Sequence, residues 1–332
     1  MRRSSLLRLG AIGLAALGAR QAMAQAWTPP KGEMGVTLGY SRSFADEHID
    51  SHGNVLTIPA GPAAGQGWGD MTWNDADLAL GYGITDRLAA RVAVPFVVSQ
   101  YDGAFPHPPL FPGHQDQDNG NWYGTFGDFA MEMRFKATKG SLVVTPLVGF
   151  SVPTGYEYYA HSAAGRGLKE ARIGVNLGRL LDPVIPNSFI QVRYTFSIPE
   201  KVLGISHDRS NTFFDAGYFV TPSLTLSLIG DWQVTHGGWR NPEDVPLPSD
   251  PNFLYHDQLQ RSNYLRLGGS LTYALTKSID IAASYYASAY VRSELNMSGF
   301  ALYFTYGFSP SQLVRKMGHK QPKEPSRTPP TS

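Results

Sequence analysis

The chain has 332 residues, 42 % apolar and 17 % charged, with a formal charge of +1 and no cysteine. Disulfides and thiolate chemistry are therefore excluded, and nothing in the charge distribution suits a nucleic-acid-binding surface. Beyond the first two dozen residues no segment offers the roughly 18 uninterrupted apolar residues of a membrane helix, so a membrane assignment has to rest on strands.

Residues 1–24 read as a secretory signal peptide. Arg2, Arg3 and Arg8 form a charged start, Leu9 to Ala19 a short apolar stretch, and Ala22-Met23-Ala24 a small-x-small cleavage pattern, with Ala24-Gln25-Ala26 as an alternative. Arg2-Arg3 invites a twin-arginine reading, but Ser5 stands where that signal wants an apolar residue. A membrane barrel also has to travel unfolded, which favours the general secretory route. Four of the 28 basic residues lie in this leader, leaving 24 against 27 acids. The tail after Phe308 carries Arg315, Lys316, Lys320, Lys323 and Arg327 against Glu324 alone, so the middle of the chain is acidic.

Twelve strands are expected between these ends, each of a length that suits a tilted crossing. In chain order they are Met34 to Ser43, Trp73 to Ile84, Leu88 to Ser99, Thr125 to Ala137, Leu142 to Pro153 and Lys169 to Leu180. Ser188 to Ile198, Asn211 to Val220, Leu224 to Val234, Ser262 to Leu275, Ile279 to Val291 and Ser298 to Phe308 complete the set. Short turns such as Thr85-Asp86-Arg87, Thr221-Pro222-Ser223 and Thr276-Lys277-Ser278 alternate with long polar loops along the whole chain. That alternation predicts an all-β fold: a transmembrane antiparallel up-and-down β-barrel of about 12 strands, with short periplasmic turns and long extracellular loops.

Strand phase supports this. Leu224, Leu226, Leu228 and Trp232 share one face and Thr225, Ser227, Asp231 and Gln233 the other, while Phe300, Leu302, Phe304, Tyr306 and Phe308 form a continuous apolar stripe. A period of two places one face on lipid and one in the lumen. The organisation expected is a signal peptide over 1–24, a barrel over 25–308 and a basic, Pro-rich periplasmic tail over 309–332. The outer loops fall at about 44–72, 100–124, 154–168, 199–210, 235–261 and 292–297, and their Pro and Gly content suits irregular, solvated segments.

Between residues 68 and 198 the chain resembles a known family. Tyr82-Gly83-Ile84-Thr85-Asp86-Arg87-Leu88 leading to Val94-Pro95-Phe96, Gly127-Asp128 at the fourth strand and Val152-Pro153-Thr154-Gly155 after the fifth are similar to features of the outer-membrane barrels named for the meta-pathway of phenol degradation. The resemblance implies passage of small aromatic or hydrophobic compounds. One departure is that the aromatic stripe ends at Phe308 rather than at the chain end, so a signal for the barrel-assembly machinery would be internal.

The candidate functional residues are the charges on the expected lumen face: Asp77, Arg91, Glu132, Arg134, Glu170, Arg172, Arg193, Asp215, Asp231 and Arg266, with Asp280 beside them. Such a mixed ladder either cross-links the wall or lines a solute path, and a twelve-stranded barrel lies between filled and open interiors. Tyr156, Tyr158 and Tyr159 are candidates for first contact with a solute at the mouth, whereas Tyr82, Trp122, Tyr123, Trp232, Tyr264 and Tyr290 suit interfacial anchoring. Eight of nine histidines fall in the outer loops, but their spacing matches no metal motif. Asp116-Gln117-Asp118-Asn119-Gly120 departs from a calcium loop in its glycine and lacks the closing glutamate. No cofactor is expected. His161-Ser162 is the nearest approach to a nucleophile and base, and adjacent residues on a loop do not make one, so no enzyme is expected. The expected function is passive transport of small, hydrophobic or aromatic solutes through the cell outer membrane, with a structural or adhesive surface barrel as the alternative. Its partners would be outer-membrane lipid, lipopolysaccharide, the barrel-assembly machinery and the solute.

Overall fold

The computed structural model describes residues 26–57, 65, 67–103, 118–247 and 250–310; the expected signal peptide, the tail beyond 310 and parts of three long loops, including Asp116 and Gln117, lie outside the described residues. Thirteen strands follow one another: β1 Met34–Ile49, β2 Asp70–Gly83, β3 Leu88–Asp102, β4 Tyr123–Phe126, β5 Phe129–Phe135, β6 Leu142–Val152 and β7 Glu170–Leu180. They continue with β8 Ser188–Pro199, β9 His207–Phe219, β10 Leu224–Gly237, β11 Asn263–Ala274, β12 Ile279–Arg292 and β13 Glu294–Phe308. Neighbours pair antiparallel, and β1 pairs with β13 from Met34↔Phe308 onward, which closes the sheet. Twelve strands form the ring, while β4 pairs with β3 alone. Closure leaves no edge in the ring, the one solution for a sheet in hydrocarbon.

Three of the short turns share one device. The Thr85 hydroxyl accepts from the Arg87 and Leu88 amides at 3.2 and 2.9 Å, Thr221 accepts from Ser223 and Leu224 at 3.3 and 3.0 Å, and Thr276 accepts from Ser278 at 3.1 Å. A threonine at the first turn position thus substitutes for a backbone acceptor and fixes each reversal. The five turns joining β2 to β3, β5 to β6, β7 to β8, β9 to β10 and β11 to β12 gather at one end of the barrel, and the long loops and the one-residue connection between β12 and β13 lie at the other.

Side chains alternate along the strands, apart from the bulges at Ala45/Glu47 and Leu265/Arg266 and the break at Gly127-Asp128. Leu38, Leu78, Val148, Ile173, Leu228, Tyr285 and Leu302 lie exposed on the outside, while Thr145, Asn176, Gln191, Thr195, Asp215 and Thr305 are buried inside. An aliphatic exterior around a polar interior inverts the soluble pattern and matches a lipid-facing wall.

Three details differ from the expected strands. The fourth strand is broken: Tyr123–Phe126 and Phe129–Phe135 both pair with β3, separated by Gly127-Asp128. Phe126 and Phe129 point outward and Asp128 inward, so the break shifts the phase. The expected outer loop 292–297 is absent, since β12 and β13 continue to Arg292 and from Glu294 with only Ser293 between them, at a φ of 46°. The first strand runs six residues further than expected, to Ile49. In β1 and β13 the extra strand residues include the polar Asp46, Glu47 and Glu294, which mask the apolar alternation there.

Candidate functional site

The interior charges converge on two carboxylates. Glu132 on β5 receives Arg134 from its own strand and Arg193 from β8, with a second Arg193 contact at 3.2 Å. Arg91 stands opposite Glu132 in the β3–β5 register. Glu170 on β7 receives Arg172 at 2.6 Å and also Arg209 from β9. Asp215 accepts from Gln191 at 2.8 Å. Asp231 pairs in register with Arg266, whose guanidinium lies 3.9 Å over the Tyr264 ring, and the Tyr264 hydroxyl reaches Asp231 at 3.3 Å. Asp77 sits on the inner face of β2 between Gly39 and Pro95. Arg209 lies in the expected loop 199–210 but belongs to β9, where 207, 209, 211 and 213 continue the inward phase of the strand.

Between these groups lies a cavity of about 560 Å³, lined by Arg91, Arg134, Arg193, Asp231 and Arg266 on one side of its chemistry and by Trp27, Phe213, Tyr286 and Tyr303 on the other. Trp27 is there because residues 26–31 fold into the short-turn end of the barrel. The Thr145 hydroxyl donates to the Ala26 carbonyl at 2.6 Å, Trp27 meets Phe189 edge to face at 6.5 Å, and the Gly32 amide donates to the Gly83 carbonyl at 2.7 Å. Gly178 makes the room: a Cβ there would stand 2.5 Å from the Ala26 Cβ and 2.9 Å from the Trp27 ring. Gly178→Val is therefore expected to expel this segment and widen the lumen, read as a larger single-channel conductance with unchanged folding. Unchanged conductance would show that the segment does not limit the path.

At the strand break the loop 153–169 replaces the missing wall. The Thr154 hydroxyl donates to the Phe126 carbonyl at 2.7 Å, and the Tyr156 hydroxyl donates to Asp128 at 2.5 Å while accepting from the Gly167 amide at 2.8 Å. Gly127 lies so close that a Cβ would meet Pro95 Cγ at 2.9 Å and the Ala164 carbonyl at 3.1 Å. Tyr156 is only 6 % exposed, so it is a latch in the wall and not an open contact at the mouth. Burial first, then the Asp128 carboxylate, push its phenol far above the ordinary value and keep it a donor. Tyr158 and Tyr159 are separate from it: their hydroxyls are 2.7 Å apart and their rings 4.0 Å apart, and Tyr255 lies beside Tyr159.

The outer loops pack against one another, contrary to the expectation of solvated segments. Leu168, Val202 and Leu259, from three different loops, form a small core with Ile205, Trp239 and Tyr255 around it. The Asp118 carboxylate accepts the backbone amides of His161 and Ser162 and the Ser162 hydroxyl, the last at 2.9 Å. Ser162 is fully buried and donates to Asp118, not to His161, so the pair has no nucleophile–base geometry. His161 Nδ1 instead faces Asp257 at 3.1 Å. Burial opposes the charging of His161, but the Asp257 and Asp118 carboxylates outweigh it and move its pKa up. Tyr264, expected at an interface, is buried inside over Arg266, while Tyr82, Trp122, Trp232 and Tyr290 are exposed.

No protein-family description matches the chain, and no curated protein does. Solved structures do. The COG4313 outer membrane channel from Pseudomonas putida F1 superposes with a TM-score of 0.62 at 12 % identity, covering 86 % of this chain and 98 % of that one. The translocator domain of the autotransporter NalP from Neisseria meningitidis gives 0.46 at 11 % identity over 92 % and 98 %, and the NanC porin 0.45 at 8 % over 82 % and 98 %. The fold is that of outer-membrane β-barrels.

Proposed function

We propose that the protein is a passive outer-membrane channel for small solutes, with a preference for hydrophobic or aromatic ones. The observation that carries the reading is the internal cavity of about 560 Å³, where guanidinium groups and aromatic rings face the same space. A purely structural barrel would gain more from filling that volume with side chains. The similarity of fold to the Pseudomonas putida channel is consistent with the reading. The mechanism needs no cofactor. A solute meets Tyr158 and Tyr159 at the loop end, passes the charged belt of Arg91, Glu132, Arg134, Glu170, Arg172 and Arg193, and leaves past residues 26–31 at the other end. Outer-membrane lipid and lipopolysaccharide surround the apolar belt in this reading, and the barrel-assembly machinery inserts it.

Planar-bilayer recording of the refolded chain tests it. Discrete conductance steps are expected, larger when residues 26–31 are deleted. Silence from both chains would favour the structural or adhesive alternative. Selectivity is tested separately by Tyr158→Ala with Tyr159→Ala, which is expected to slow uptake of an aromatic solute more than that of a sugar of similar mass. Equal slowing of both would leave a general pore.

A further inference from the structure

We propose that His161, His256 and Asp257 bind a divalent transition-metal ion of the zinc type, which fastens the loop 153–169 to the loop 238–262 across the mouth of the barrel. The proposal rests on the packing of these loops and not on the transport reading, so each stands or falls separately. His161 is far in sequence from the adjacent His256 and Asp257, and folding brings one potential ligand atom from each within 4.8 Å of the others. His161 Nδ1 is 3.1 Å from one Asp257 oxygen, and His256 Nε2 is 3.4 Å from the other. Around a tetrahedral ion with N and O ligands at about 2.0–2.2 Å, neighbouring donor atoms stand roughly 3.3–3.6 Å apart. The two histidine–carboxylate distances, each to a different oxygen of Asp257, are near that spacing, and all three ligand atoms lie within 4.8 Å of one another.

The orientation of His256 gives the second reason. Its Nδ1 is 2.7 Å from the Phe253 carbonyl, which can only accept, so Nδ1 carries a proton and Nε2 is the nitrogen turned toward Asp257 and available to a ligand. A ring nitrogen held this way by a backbone carbonyl is the usual outer support of a histidine ligand. Nε2 faces the carboxylate at 3.4 Å, a contact that either a proton on Nε2 or a metal ion makes favourable. Two imidazoles and a carboxylate suit zinc-type ions better than calcium or magnesium, which prefer all-oxygen sets. A third imidazole is near: His48 lies 6.1 Å from His161, ring to ring, with its Nε2 buried and without a hydrogen-bond partner among the described residues.

Both histidine side chains are about 10 % exposed and Asp257 is 28 % exposed, so the site is sheltered yet open to water on the carboxylate side. His161 belongs to the loop that closes the strand break, and His256 and Asp257 to the short helical turn His256–Leu259, whose Leu259 packs in the loop core. A bound ion would therefore tie the loop 153–169 to the helical turn His256–Leu259.

The test uses the untagged full-length mature chain, refolded in detergent micelles and checked for folding by its heat-dependent gel mobility. Calorimetric titration with Zn²⁺ is expected to show one ion per chain, and Co²⁺ is expected to give the strong visible bands of a tetrahedral site. His256→Gln should weaken binding by at least about a hundredfold, the upper end of what loss of an outer partner alone costs. His256→Cys should keep the ion and add a thiolate-to-cobalt absorption, which decides the matter even if the glutamine variant does not fold. His52→Gln, an exposed histidine paired with Glu243, should change nothing. Absence of Zn²⁺ uptake by folded wild type, or unchanged uptake by the folded His161→Gln, His256→Gln double variant, would overturn the proposal and leave a proton-held His–Asp–His cluster.

Discussion

Replacing Glu132 by alanine is expected to destabilise the barrel by about 3–5 kcal/mol, the penalty for leaving a buried charge network without its counter-ion. Glu132 is the carboxylate shared by Arg134 and Arg193, with Arg91 opposite in register. Its removal leaves three guanidiniums facing one another inside a narrow ring. Urea unfolding of the refolded barrel measures the effect, and Arg193→Met in the same chain should recover part of it by removing one uncompensated charge. A cost below about 1 kcal/mol, the range of solvated ion pairs, would mean that the belt is bathed in bulk water and that the cavity is wider than its walls suggest. Under the proposed function the same variant also bears on transport, because Arg91, Arg134 and Arg193 line the cavity.

Arginine at Leu228 is expected to cost about 2–4 kcal/mol and to impair assembly, as charges at the mid-bilayer of a barrel exterior do. Leu228 is 57 % exposed on the outer face of β10, between the turn at Thr221 and the outward Trp232. Arginine at Ser284, which lines the cavity, should assemble far better because its side chain meets water and other polar groups. Comparing the folded fraction of the two variants in lipid vesicles checks the phase of the wall. Equal tolerance would mean that the apolar exterior does not face hydrocarbon.

The ring was legible in the sequence because its determinants are local. Alternation along β8, β10 and β13 assigns each side chain to a face. The threonine turns at Thr85, Thr221 and Thr276 mark where the chain reverses. The candidate charges could be placed on one face for the same reason, since a period of two needs no knowledge of neighbouring strands. Which charges meet was not legible. Arg193 reaches Glu132, and Arg209 reaches Glu170, across strands that register and shear bring together.

The strand break illustrates the limit further. Gly127-Asp128 looks like an ordinary strand opening in sequence, and only the packing of Thr154, Tyr156 and Ala164 against it shows a wall completed by a loop. Tyr156, grouped by proximity in sequence with Tyr158 and Tyr159, separates from them for that reason. The loop histidines separate likewise: spacing along the chain hides the meeting of His161 with His256 and Asp257, because two loops contribute the pieces. By itself, then, the sequence determined the barrel, the inside and outside of its wall and the alternation of turns and loops, all set by short-range periodicity and turn chemistry. The tertiary structure alone decided the ion pairs, the inward N-terminal segment, the latch at the break and the histidine cluster, because each joins residues whose distance is fixed by closure of the ring and by loop packing rather than by any neighbour in the chain.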